Sequence, residues 1–201
     1  MCVIFQTFSI FTEQIIHLAM KSTVYSIGHG NKTIEDFIRE LESFDIRYLI
    51  DIRSKPFSKW NPQFNQTSLK MTIERNGIKY VFLGDKLGGL PDDRSCYDSN
   101  GKVVYGFMKD KDFFKEGLNR LITANKKAIK IAIMCSESKP EECHRSKLIG
   151  EELLKLDISI NHIIAENKTK SQKAVISELT DGFGLVDLFG DKAEFTSRKS
   201  Y

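Results

Sequence analysis

Residues 23–53 read TVYSIGHGNKTIEDFIRELESFDIRYLIDIR. Thr23-Val24-Tyr25-Ser26-Ile27 is a β-branched and apolar run that stops at Gly28-His29-Gly30, where a strand would turn into a loop. Thr33 then stands three residues ahead of Asp36, a hydroxyl cap followed by an acid in the first helical turn. Ile34, Phe37, Ile38, Leu41 and Phe44 follow at helical spacing. Arg47-Tyr48-Leu49-Ile50-Asp51-Ile52 is a second strand that runs into polar Asp51 and Arg53. A strand–helix–strand unit of this kind implies parallel strands joined by a right-handed crossover.

The pattern repeats outward from that unit. Ser68 to Asn76 reads as a helix closed by Gly77, and Ile78 to Leu83 as a third strand. A helix follows over Asp112 to Ala124, with Phe113, Phe114, Leu118, Leu121 and Ile122 on one side. Ala128 to Met134 is the most hydrophobic run and reads as a central strand buried on both faces. Cys143 to Leu156 reads as a helix, Ile158 to Ile164 as a fifth strand and Ser171 to Leu179 as a last helix. Residues 181–201 read as a loose polar tail. The expected class is α/β: a single three-layer Rossmann-like domain, with a mostly parallel five-stranded sheet and helices on both faces. It divides into an amino-terminal extension (1–20), an α/β domain (21–168) and a carboxyl-terminal helix with a polar tail (169–201).

Composition narrows the class of function. The chain has 201 residues, 41% of them hydrophobic, too many for a disordered chain. The net charge of +3 falls short of the basic footprint of a dedicated DNA-binding module. Four cysteines, unevenly spaced, make no disulfide framework and suit a reducing cytoplasm. The extension lacks a basic start and carries Glu13, so it makes a poor signal peptide, and it is too short to span a bilayer. Met20, just ahead of the first strand, reads as an alternative start. No membrane partner is expected, and the protein reads as a monomer or homodimer.

Open parallel sheets bind ligands beyond the carboxyl ends of their strands. His29 follows the first strand, and Asp51, Arg53 and Ser54 follow the second. Lys86, Gly88 and Gly89 follow the third, and the segment from Cys135 and Glu137 to Cys143-His144-Arg145 follows the fourth. In functional terms Asp51 orients Arg53 or His29, and Arg53 and Arg145 bind an anion. His29, Glu137 and His144 are candidates to move a proton. The Gly88-Gly89 pair lets a ligand approach the backbone. Each has a plainer reading: Asp51–Arg53 as an ion pair of little value, the glycines as a turn. Phe57, Trp60 and Phe64 either stack a base or pin their loop.

Three readings of Cys143 stay open. It is a reactive thiol at a helix start, although Arg145 follows too closely for the usual cysteine-phosphatase loop. It is a metal ligand with Cys135, His144 and His29, although a separation of eight residues between Cys135 and Cys143 is not a familiar zinc spacing. Or it packs a helix start, with Cys135 a small buried residue at a strand end. No metal or other cofactor is expected on this reading.

Taken together, Tyr25-Ser26-Ile27-Gly28-His29, Asp51-Ile52-Arg53-Ser54-Lys55-Pro56, Gly77-Ile78-Lys79-Tyr80, Leu87-Gly88-Gly89, Tyr105 with Phe107-Met108, and Cys135-x-Glu137 followed by Pro140-Glu141-Glu142-Cys143-His144-Arg145 resemble the domain-of-unknown-function family 488. The resemblance covers about Val24 to Ile164. It implies a compact α/β fold and a characteristic site of His29, Asp51, Arg53, Glu137, Cys143, His144 and Arg145, with no secure reaction. The expected function is an enzyme acting on a nucleotide, nucleic acid or other phosphorylated compound. Its catalytic candidates are His29, Asp51, Glu137, Cys143 and His144, and its binding candidates are Arg53, Ser54, Lys86, Gly88, Gly89 and Arg145. The alternatives are a non-catalytic nucleotide or nucleic-acid binding module, and a thiol- or metal-dependent enzyme using Cys143.

Overall fold

The computed structural model describes residues 22–182, 184 and 194–201. The extension 1–20 lies outside them. The opening unit forms as its pattern predicts: β1 (Val24–Gly28), α1 (Ile34–Glu42) and β2 (Tyr48–Asp51). Thr33 caps α1, its Oγ1 accepting from the Asp36 amide at 3.1 Å, a contact of the kind worth about 1 kcal/mol. Phe37 and Leu41 on the inner face of α1 are fully buried.

Next come α2 (Gln66–Arg75), β3 (Lys79–Phe82), a single turn α3 (Gly84–Leu87), β4 (Lys102–Val104), α4 (Tyr105–Lys109), α5 (Asp112–Lys126) and β5 (Ile131–Cys135). The strand order is β3-β2-β5-β1, then β6 (Asn161–Ala165) and β7 (Lys168–Ser171). The pairs among β1, β2, β3, β5 and β6 are parallel. The chain moves one way from β1 to β3 and back from β3 to β6, so right-handed crossovers put its helices on opposite faces. Phe37 and Leu41 of α1 and Leu69 and Ile73 of α2 pack with Ile27, Leu49 and Met134 on one face. Phe114 and Leu121 of α5 and Leu148 and Leu153 pack with Ile50, Ile131 and Ile133 on the other. β5 is buried along its whole length, as a central strand requires.

The five-strand expectation is corrected to a sheet of six strands among the described residues. Asn167 takes a left-handed φ of 54°, which reverses the chain after β6 and lets β7 return antiparallel. The polar β7 forms an edge of the sheet, where lysines are common. The tail also departs from expectation. Residues Thr196–Ser200 form β8, paired antiparallel with β4 in a separate two-stranded sheet.

The expected helix from Cys143 is broken up. Pro140–Glu142 make a 3₁₀ turn, Arg145–Gly150 a π-helix and Glu151–Leu154 a last α-helical turn, α6. The cause is Gln172, at the start of α7 (Gln172–Leu179). Its Nε2 donates to the Ser146 carbonyl at 3.0 Å, and its amide occupies the space a side chain at Gly150 would need. A side chain inserted into the helical ladder in this way widens the turn. No helix among the described residues is long and apolar enough to cross a membrane.

Candidate functional site

The carboxyl ends of β1, β2 and β5 meet at one edge of the sheet. A pocket of about 190 Å³ opens there, with Arg53, Tyr105, Cys135, Glu137, Cys143 and His144 in its walls. A second hollow of about 580 Å³, lined in part by His29, Phe57 and Ser58, shares Arg53, Lys55, Ser136, Glu137 and Glu142 with the first.

Asp51 and Arg53 are both buried, and their contact is no surface ion pair. Arg53 donates from Nε to Asp51 Oδ1 at 2.9 Å and from Nη2 to Oδ2 at 2.6 Å. The Arg53 amide and the Tyr80 hydroxyl also donate to the same carboxylate, at 3.1 and 2.7 Å. Asp51 is thereby fully occupied as an acceptor and positions Arg53. Nη2 also reaches the Phe64 carbonyl at 2.8 Å. Nη1 has only a 3.5 Å contact with His29 Nε2. Of the five guanidinium hydrogens, one on Nη1 is left for the pocket that Arg53 lines.

His29 is buried, and its ring lies flat on Phe64, with centroids 4.4 Å apart. Its Nδ1 is 2.9 Å from the Gly30 carbonyl, which places the proton on Nδ1 and leaves Nε2 as an acceptor facing Arg53. Burial lowers its pKa, so the ring is neutral at pH 7. Phe64 therefore pins its loop, whereas Phe57 and Trp60 are 76% and 81% exposed.

The two glycines after α3 allow close packing. The Ser54 hydroxyl accepts from the Leu90 amide at 2.9 Å and lies where a Gly88 side chain would be. A Cβ on Gly89 would stand 2.9 Å from His144 Nδ1. Lys86 is not brought to the pocket; it pairs with Glu116 on α5. Arg145 is 1% exposed and turned inward. Its guanidinium donates to the Glu137 and Ser138 carbonyls at 2.6 and 2.9 Å, folding the loop after β5 back onto the β1 end. Gly28 is needed at that end, because a Cβ there would lie 1.9 Å from the Glu137 carbonyl oxygen.

That folded loop brings Cys143 back to Cys135. Their sulfurs and a nitrogen of His144 all lie within 4.8 Å of one another, and all three residues are buried. His144 Nδ1 is 3.6 Å from Cys143 Sγ and 3.9 Å from Cys135 Sγ. The Arg145 amide donates to Cys143 Sγ at 3.5 Å. A hydrogen bond from Cys143, with the positive fields of His144 and Arg145, pulls the Cys135 thiol well below its ordinary pKa, and burial together with its thiolate neighbour pushes Cys143 up. A thiol with its pKa lowered in this way, at the wall of a pocket, is suited to be a nucleophile or a soft metal ligand.

Cys143 and His144 stand out in the sequence through the Cys-His-Arg run, whereas Cys135 is open there between a metal ligand and a small buried residue, its signal being the Cys135-x-Glu137 piece of the family pattern. The tail was missed. Ser197, Arg198, Lys199 and Tyr201 line the pocket, and Arg198 pairs with Glu137 and Glu142 at 3.3 and 2.9 Å. A polar segment with no apolar alternation carries no pattern that would have predicted this.

No curated protein and no solved structure matches this sequence. A family match covers residues 33–150, more than half of the chain, and takes in α1, the Asp51–Arg53 pair, the glycine turn and the Cys135–Cys143–His144 cluster. The chain belongs to the family described as domain of unknown function DUF488.

Proposed function

We propose that the protein is an enzyme acting on a small anionic substrate, a nucleotide or another phosphorylated compound, with Cys135, Cys143 and His144 as its reaction centre. The observation that carries this reading is the convergence of two sulfurs and an imidazole at a pocket wall, with donor atoms within 4.8 Å of one another. Lys55, Lys199 and the free Nη1 hydrogen of Arg53 also line that pocket and favour an anion, while Arg198 offsets the charges of Glu137 and Glu142 in the same wall. The inner pocket of about 190 Å³ suits the reacting group, and the adjoining hollow suits the rest of the molecule. Weight moves away from Arg145 as an anion ligand, since its guanidinium is engaged by backbone carbonyls. Glu137 lines both hollows and is the candidate to move a proton.

The test is a panel of nucleotides and sugar phosphates screened by thermal shift, followed by turnover assays on whatever binds. The expected result is a ligand that raises Tm, is turned over by the wild type, and is bound but not turned over by Glu137→Gln and Cys143→Ser. Binding with no turnover by the wild type would overturn the enzyme reading in favour of a binding module. A specific observation supports that second reading: exposed Phe57 and Trp60 stand beside Lys55 and Lys59, a combination suited to stacking on bases and holding phosphates.

A further inference from the structure

The pocket cluster has a geometry that thiol chemistry alone does not account for. His144 is buried, yet neither ring nitrogen makes an ordinary hydrogen bond. Nδ1 has only the two long sulfur contacts, and Nε2 has no partner. Buried polar groups without partners are rare in folded chains, and an ion between Nδ1 and the two sulfurs would give that nitrogen the partner it lacks, leaving Nε2 as the protonated nitrogen. The two sulfurs stand 3.6 and 3.9 Å from one nitrogen, and all three atoms lie within 4.8 Å of one another, separations that a single tetrahedral ion could span. A zinc ion bonded to sulfur at about 2.3 Å and to imidazole at about 2.0–2.1 Å sets sulfur–nitrogen edges of about 3.5 Å.

We infer that Cys135, Cys143 and His144 hold a divalent, thiolate-seeking metal ion of the zinc type, with the fourth position open to the pocket. All three residues are on the pocket wall, so a water or a substrate atom has access to that position. The surroundings are those of a metal site. The Arg145 amide donates to the Cys143 sulfur, an outer contact that stabilises a coordinated thiolate. Gly89 closes on the His144 ring where a larger residue would displace it. The eight-residue separation of the cysteines is no obstacle. The intervening segment is compacted by the grip of Arg145 on the Glu137 and Ser138 carbonyls and by the Ser146 hydroxyl on the Pro140 carbonyl. Three protein ligands with an open fourth position are the arrangement of catalytic rather than structural zinc. The inference deepens the proposed function and rests on it only for the use made of that fourth position.

The experiment uses the full chain, purified reduced and metal-free, then loaded with Zn²⁺ or Co²⁺ alone. One ion per chain should survive gel filtration. The Co²⁺ form should show a sulfur-to-cobalt charge-transfer band and the strong visible bands of a four-coordinate site, and added azide should shift those bands. Peptide mapping after alkylation should show Cys135 and Cys143 protected by Zn²⁺ in the wild type, a readout that needs no variant to fold. Cys135→Ser and Cys143→Ser should each weaken the affinity by at least about a hundredfold. A retained metal below about a tenth of an equivalent, an octahedral cobalt spectrum, or equal alkylation with and without Zn²⁺ would overturn the site. A cobalt spectrum that ignores azide would overturn its open position. Failure of the metal site with rapid alkylation of Cys135 at neutral pH leaves the thiol-centred enzyme standing. A tetrahedral ion in a chain that turns over nothing sinks the enzyme reading and keeps the metal.

Discussion

Arg53 is clamped by Asp51 through two parallel hydrogen bonds, at 2.9 and 2.6 Å, with 6% and 0% of the two side chains exposed. Removing the acid strands a buried guanidinium and takes away the acceptor of the half-buried Tyr80 phenol at the mouth of β2. Asp51→Ala should therefore cost about 3–5 kcal/mol in a urea unfolding experiment. Arg53→Lys should recover little of that interaction, because an ammonium cannot reproduce the fork. A loss below about 1 kcal/mol for Asp51→Ala would show that the pair is not sealed from water.

Gly89→Ala tests the close approach to His144. The new methyl would stand 2.9 Å from Nδ1, and the ring can move further than the backbone. Thiol alkylation and metal retention should change more than Tm does. At Gly28 the obstacle is the Glu137 carbonyl oxygen, which would lie 1.9 Å from an added methyl, so Gly28→Ala should lower Tm outright. Equal melting temperatures for Gly28→Ala and the wild type would contradict the packing described.

The acid limb of stability should follow His162. Its ring is buried between the Ser26 hydroxyl and the Gln172 amide. Burial, with the nearby charge of Arg145, lowers its pKa from 6.5 to about 3. Between those values only the unfolded chain takes up the proton, so stability falls as the pH falls, by about 1.4 kcal/mol per pH unit. The buried His29, shifted in the same direction, adds to the slope. Urea unfolding from pH 7 to pH 4 measures it. His162→Gln, which has no proton to gain, should be less stable at pH 7 and should show a shallower decline.

Arg198→Ala should separate stability from access. Its contacts with Glu137 and Glu142 are partly exposed, and such pairs contribute about 0–1 kcal/mol. Tm should stay within a few degrees. Alkylation of Cys135 should speed up, because a side chain that lines the pocket is removed. Unchanged alkylation would mean that β8 does not limit access to the sulfur.

Much of this arrangement was legible in the sequence. The strand–helix–strand unit has a period of two, then 3.6, then two again, with Thr33 marking the helix start, and each signal is local. Asp51, Arg53 and His29 were placed correctly at the carboxyl ends of strands because a parallel sheet delivers those ends to one side. The rest depends on contacts between distant residues. Gln172 widens the helix at Gly150, and nothing near Gly150 announces it. β8 is held by backbone pairing with β4, which leaves its Ser, Arg and Lys side chains free to look like a solvated tail. Cys135 resembles any small residue at a strand end until Arg145 draws the loop back over it. Of the two arginines expected to bind an anion, Arg145 is taken up by backbone carbonyls, and Arg53 is clamped on a carboxylate with one hydrogen left for the pocket.

The pairing of β8 with β4 bears on how the protein is handled at the bench. Tyr201 sits at the rim of the pocket, and its amide donates to the Gly101 carbonyl at 2.8 Å. A purification tag or fluorescent partner fused after Tyr201 would emerge at the entrance that substrates and inhibitors must use. A polyhistidine tag would also bring competing imidazoles to the cysteine–histidine cluster. Cleaving such a tag before any binding or metal measurement removes both artefacts.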